Sequence, residues 1–148
     1  MASKQHDVDL ILKLYELRRD ETMRKARAWY FTEFNPTGPK DIVRLMVGGF
    51  ESSAYYRMIT SYWDMAASFV INDGIDEKMF LDANTEHIVV FSKIEPFIAD
   101  VREMFGESNY LIHLEQLVMK IPNVKETLEK RSKLLAKWGE RHREAAAE

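Results

Sequence analysis

Four histidines, His6, His87, His113 and His142, are the side chains best suited to titrate near neutral pH or to ligate a metal. The residues three positions before them are Ser3, Asn84, Tyr110 and Gly139, so the Glu-x-x-His pair that holds a di-iron centre in a helical bundle does not occur. There is no His-Glu-x-x-His zinc motif, and the six glycines do not have the spacing of a phosphate-binding or dinucleotide loop. The absence of cysteine excludes disulfides, thiolate ligation and a cysteine nucleophile, and it fits a reducing compartment. Asn72-Asp73-Gly74-Ile75-Asp76-Glu77 gathers acids around a glycine, but a calcium loop counted from Asp73 requires Glu at its twelfth position, where Asn84 stands. That segment reads as a helix-capping turn. We therefore expect no metal, no cofactor and no catalytic residue, since no pair is spaced for acid–base or nucleophilic work. A constellation assembled from distant helices would not show in such spacing.

The side chains that remain are candidates for binding. Arg57 and Asp64 lie seven apart on a helix rich in tyrosine and tryptophan and share a face beside Tyr62 and Trp63. With His87, which falls on the apolar stripe of another helix, they form either an aromatic and polar pocket or an ion pair amid ordinary aromatic packing. His113 and Glu115 are two apart and cannot meet on one helix face. Arg18, Arg19, Arg24, Lys25 and Arg27 precede Trp29, Tyr30 and Phe31, as in a nucleic-acid surface, but Asp20 and Glu21 interrupt the run. The acidic remainder of the chain repels phosphate, and no nucleic-acid partner is expected.

These residues must be positioned by helices, because apolar residues recur at three and four rather than at two. The 148 residues, 46% apolar and 30% charged, suit one helical domain over 1–148. No stretch approaches the roughly 20 apolar residues that cross a bilayer, and the polar amino terminus is not a secretory signal, so a cytoplasmic protein without membrane association is expected. Leu10, Ile11, Leu14 and Leu17 mark one stripe, which restarts in a new phase at Met23, Ala26, Tyr30 and Phe34. Asp20 is the available N-cap between them, predicting two helices or one kinked helix. Further helices are predicted over 41–47, over 51–71 ending in a left-handed cap at Asn72-Asp73-Gly74, and over 76–83. Another runs from 85 to 105 with a kink at Pro96, and the next opens at Ser108-Asn109 and stops before Pro122. A charged last helix starts near Asn123 and frays after about residue 139. The expected fold is an all-α bundle of about six or seven helices. Its core should include Leu14, Tyr55, Ile59, Tyr62, Phe69, Phe91, Ile98, Val101 and Leu117.

Residues 1–119 carry 13 basic against 19 acidic side chains, and residues 120–148 carry 8 against 5. An acidic body with a basic tail can pair within the molecule or between copies, or simply be solvated. The eight methionines suit irregular core gaps or an adaptable groove.

Tyr62-Trp63-Asp64-Met65-Ala66-Ala67-Ser68-Phe69-Val70, Gly74-Ile75-Asp76, Ile94-Glu95-Pro96-Phe97-Ile98 with Arg102, and Tyr110 with Leu114-Glu115-Gln116-Leu117 form a further pattern. With Leu14-Tyr15-Glu16-Leu17 and the run from Met23 to Tyr30, it resembles a family of bacterial all-helical domains of unknown function over most of residues 10–120. The resemblance implies a helical domain with no established reaction, and a structural tie between Arg102 and Glu115. Members with this pattern often carry an N-terminal membrane segment, which these 148 residues do not contain. The leading expectation is a non-enzymatic interaction or scaffolding domain that engages a protein partner or self-associates as a homodimer. The alternative is a small-ligand-binding bundle using Arg57, Tyr62, Trp63, Asp64 and His87.

Overall fold

A computed structural model describes residues 4–147, and these form an all-α fold. The helices are α1 (Lys4–Arg18), α2 (Glu21–Thr32), α3 (Pro39–Val47), α4 (Glu51–Ile71) and α5 (Glu77–Ala83). They are followed by α6 (Glu86–Ser92), a 3-10 turn (Glu95–Phe97), α7 (Ile98–Phe105), α8 (Ile112–Val118) and α9 (Val124–Ala147). Asp20 separates α1 from α2 by accepting the backbone N–H groups of Thr22 and Met23, which have no partner inside the helix. Asp76 opens α5 in the same way through Met79 N–H. Pro39 begins α3, where a missing N–H costs nothing.

Two expected helices change on folding. The stretch from 85 to 105 is divided rather than kinked: a proline ring collides with the carbonyl four residues back, and α6 ends at Ser92, four residues before Pro96. Likewise α8 starts at Ile112 instead of Ser108, because Leu111 adopts a left-handed backbone with φ 54°. Leu111 is buried there, between a Tyr110 carbonyl held by Arg102 and a Leu114 N–H held by Asp64. The end of α4 is left-handed at Asp73 (φ 61°), and Gly74 N–H closes onto the Phe69 carbonyl at 2.7 Å.

Helix α4 is central and packs against α2, α3, α5, α6 and α8, while α9 lies across α2 and α6. Its buried face is Tyr56, Ile59, Tyr62, Trp63, Ala66 and Val70. The Tyr55 and Phe69 expected in the core lie one position off this face. Tyr55 is half-buried and donates its hydroxyl to Glu51, and Phe69 is 41% exposed. The heptad of large side chains at 56, 63 and 70 points inward because α2 and α8 flank α4 on that side. Leu14, Ile59, Tyr62, Phe91, Ile98, Val101 and Leu117 are buried. Buried tyrosines find partners: Tyr30 donates to the Val90 carbonyl at 2.6 Å, and the Tyr56 and Tyr110 hydroxyls share a 2.7 Å hydrogen bond. Helix α9 runs on past Gly139, which is buried, to Ala147. Among the described residues no helix is long and apolar enough to cross a membrane.

Candidate functional site

The five candidate binding residues fall into two groups, one in the core and one along the side of α4 that meets α3 and α8. Tyr62 and Trp63 face inward with His87 of α6, their rings meeting edge to face at 4.9 Å and Trp63 lying 5.8 Å from His87. The Arg18 guanidinium sits over the Trp63 ring, 5.3 Å from its centre, in cation–π geometry. Glu86 fixes it there. One carboxylate oxygen accepts Arg18 Nη1 at 3.0 Å, and the other accepts Arg27 Nε at 2.8 Å. The Tyr62 hydroxyl donates to the Leu14 carbonyl and fastens α1 to α4. Burial, partly offset by Arg18, pushes that hydroxyl up to about 12.

His87 is fully buried, and neither ring nitrogen has a hydrogen-bond partner among the described residues. Burial first, and then the positive charge of Arg131 on α9, lower its pKa to about 4. A base with a folded-state pKa below its unfolded value of 6.5 binds fewer protons when folded. Its contribution is therefore fully present above pH 6.5, declines as the pH falls, and levels off below about pH 4. The expected loss across that window is about 3 kcal/mol. Urea unfolding as a function of pH checks this: His87→Met should have a flatter acid limb than the parent, and parallel limbs would contradict a neutral, desolvated His87.

Arg57 and Asp64 lie about a quarter turn round α4 from Tyr56 and Trp63, where the helix meets α3 and α8. They do not pair with each other, because each closes the end of a different helix. Arg57 Nη1 donates to the carbonyls of Leu45, Met46 and Gly48 at 3.3, 3.3 and 3.0 Å, placing a cation at the negative C-terminus of α3. Asp64 Oδ1 accepts Leu114 N–H at 2.9 Å and its Oδ2 lies 3.5 Å from His113 Nδ1, placing an anion at the positive N-terminus of α8. Both line a surface cleft of about 440 Å³ with Met46, Met65, Phe105 and Tyr110. Tyr62, Trp63 and His87 are not part of its lining.

Arg102 Nη1 donates to Glu115 Oε1 at 3.0 Å, while its Nε and Nη2 both hold the Tyr110 carbonyl. The contact joins α7 to α8 and is aimed at a backbone turn rather than an opening. Sequence reading missed two comparable features. Lys93 is buried and donates Nζ to the carbonyls of Tyr30, at 2.7 Å, and Phe34, where α2 ends. Desolvation lowers its ammonium pKa to about 8. A lone charge inside the apolar run Phe91-Ser92-Lys93-Ile94 was its only signal. Glu86 carried none, since its arginines come from α1 and α2.

Fold and site together define an all-helical domain whose internal charges close helix ends and fasten one helix to another. The chain belongs to the family described as a domain of unknown function, DUF4760, whose model matches residues 4–121 and so stops just before α9. Neither the comparison with curated proteins nor that with solved structures returns a match.

Proposed function

We propose that this protein is a non-enzymatic helical interaction or scaffolding domain of the cytoplasm that acts through exposed helix faces and self-associates as a homodimer. The observation that carries the reading is the use of its charged groups. Arg57, Asp64 and Lys93 are engaged with helix ends, and Glu86, Arg102 and Glu115 with interhelical ties. These groups are held by the fold itself, whereas large apolar side chains face outward. Val8, Leu12 and Tyr15 form an i, i+4, i+7 stripe on the outer side of α1, with Leu12 55% and Tyr15 51% exposed. The cysteine-free sequence supports the compartment. Light scattering tests the self-association. A particle of twice the 17.4 kDa chain mass is expected, with Leu12→Asp returning it to a monomer. A parent protein that stays monomeric at high concentration overturns the homodimer.

A second reading, small-ligand binding, is supported by the outer cleft, whose volume suits a ligand pocket and which brings Arg57 and Asp64 into one lining. A thermal-shift screen against metabolites examines it, since a ligand at about 100 times its Kd adds about 2.7 kcal/mol of stability. Here Phe105→Lys should abolish any hit, whereas a hit indifferent to that change lies elsewhere.

A further inference from the structure

Helix α9 lies beyond the family-matched residues and builds a groove against α6. Val89 of α6 and Arg131, Leu134, Lys137, Trp138 and Arg141 of α9 line this space of about 530 Å³. Its apolar wall is open to solvent, with Leu134 60% and Trp138 42% exposed. Among the described residues its charge is of one sign: three cations and no acid line it, and no carboxylate pairs with Arg131, Lys137 or Arg141. Arg131, Leu134, Trp138 and Arg141 follow at i, i+3, i+7 and i+10, a single helical stripe of cation, apolar, apolar, cation about 15 Å long.

We propose that this groove docks an acidic amphipathic peptide segment of a partner protein. The segment sets two apolar side chains on Leu134 and Trp138 and carboxylates on Arg131 and Arg141, with Lys137 beside them. A helical segment meets this stripe by placing acids at both ends of an apolar pair with matching spacing, as amphipathic helices do in grooves. The charge distribution argues against other occupants. A second copy pairing symmetrically through α9 would set the cationic stripe against itself. An anionic bilayer would face the acidic body as well as the groove, whereas a peptide touches the groove alone. This proposal rests on the interaction-domain reading and gives one face of it a site and a partner chemistry.

The test uses the full chain and a displayed library of short peptides drawn at random from Glu, Lys, Leu, Phe and Ala, with phosphatidylglycerol vesicles in a separate sedimentation arm. Enriched peptides should place Glu on both sides of a Leu or Phe pair. Their binding should weaken about 30-fold in Trp138→Ala, as for an aromatic anchor, and be lost in Leu134→Asp and in the Lys137→Glu/Arg141→Glu double variant. Leu134, Lys137 and Arg141 are exposed, and unchanged melting curves establish that these variants fold. Enrichment of neutral or basic peptides, or equal binding to the variants, overturns the acidic groove and leaves the interaction domain standing. Sedimentation with vesicles and no peptide enrichment overturns it in favour of a lipid surface. No enrichment, no vesicle binding and a monomeric mass overturn both readings together.

Discussion

Trp63→Ala is expected to lower folding stability by about 4 kcal/mol, the range for truncating a fully buried aromatic side chain. Trp63 is surrounded on all sides, by Tyr62 on its own helix, Phe80 of α5, His87 of α6 and the Arg18 guanidinium of α1. Four elements would therefore border the cavity, and Tyr62 and Arg18 cannot move into it while bonded to Leu14 and Glu86. Loss of the ring also removes the cation–π contact with Arg18, worth about 1 kcal/mol or more where desolvated. Urea denaturation should show a large fall in midpoint at constant slope, with Trp63→Phe intermediate. A midpoint shift corresponding to less than about 1 kcal/mol would mean that the site relaxes around the loss, contrary to a close-packed interior.

Glu86→Gln should cost about 3 kcal/mol, because it leaves two arginines facing a neutral amide in a largely dehydrated setting. Both Glu86 and Arg18 are largely buried, while Arg27 keeps about a third of its side chain in water and moderates the penalty. The decisive comparison is with the triple variant Arg18→Met/Glu86→Leu/Arg27→Met, which removes every charge of the group at similar volume. It should recover most of the loss, since the cost of a broken buried pair lies mainly in the stranded charge. Equal destabilisation of the single and triple variants would assign the stability to the ion pairs themselves. Chemical denaturation at two salt concentrations separates the cases further, because the shielded Arg18 contact should respond less to salt than Arg27.

What the sequence made legible was whatever depended on neighbours within one turn of chain. Asp20 between two stripes, the Asn72-Asp73-Gly74 stop and the span of α4 all follow from local caps and from periodicity at three and four. Side chains whose partners are distant escaped it. Arg57 and Asp64 look like a pair because their spacing puts them on one face, yet each is claimed by a helix end more than eight residues away. Glu86 reaches arginines 59 and 68 positions distant, and Lys93 reaches carbonyls 59 and 63 positions distant. The misplaced register of Tyr55 and Phe69 has a related origin. Both faces of α4 carry large apolar groups, so periodicity alone cannot say which stripe the neighbouring helices cover. The division at Ser92 was carried by the ring of Pro96, which sits in the 3-10 turn over Glu95–Phe97.

The side of α4 that carries Arg57 and Asp64 also governs how the molecule comes apart. Helices of the length of α3 and α8, nine and seven residues, do not persist alone in water. Each has one end closed from α4, through side chains only two turns apart on the same rod. Opening that stretch of α4 releases the last carbonyls of α3 and the Leu114 N–H in the first turn of α8 in the same event. Amide hydrogens in the two short helices should thus exchange with solvent at a common rate, as one cooperative unit assembled from three separate regions of the chain.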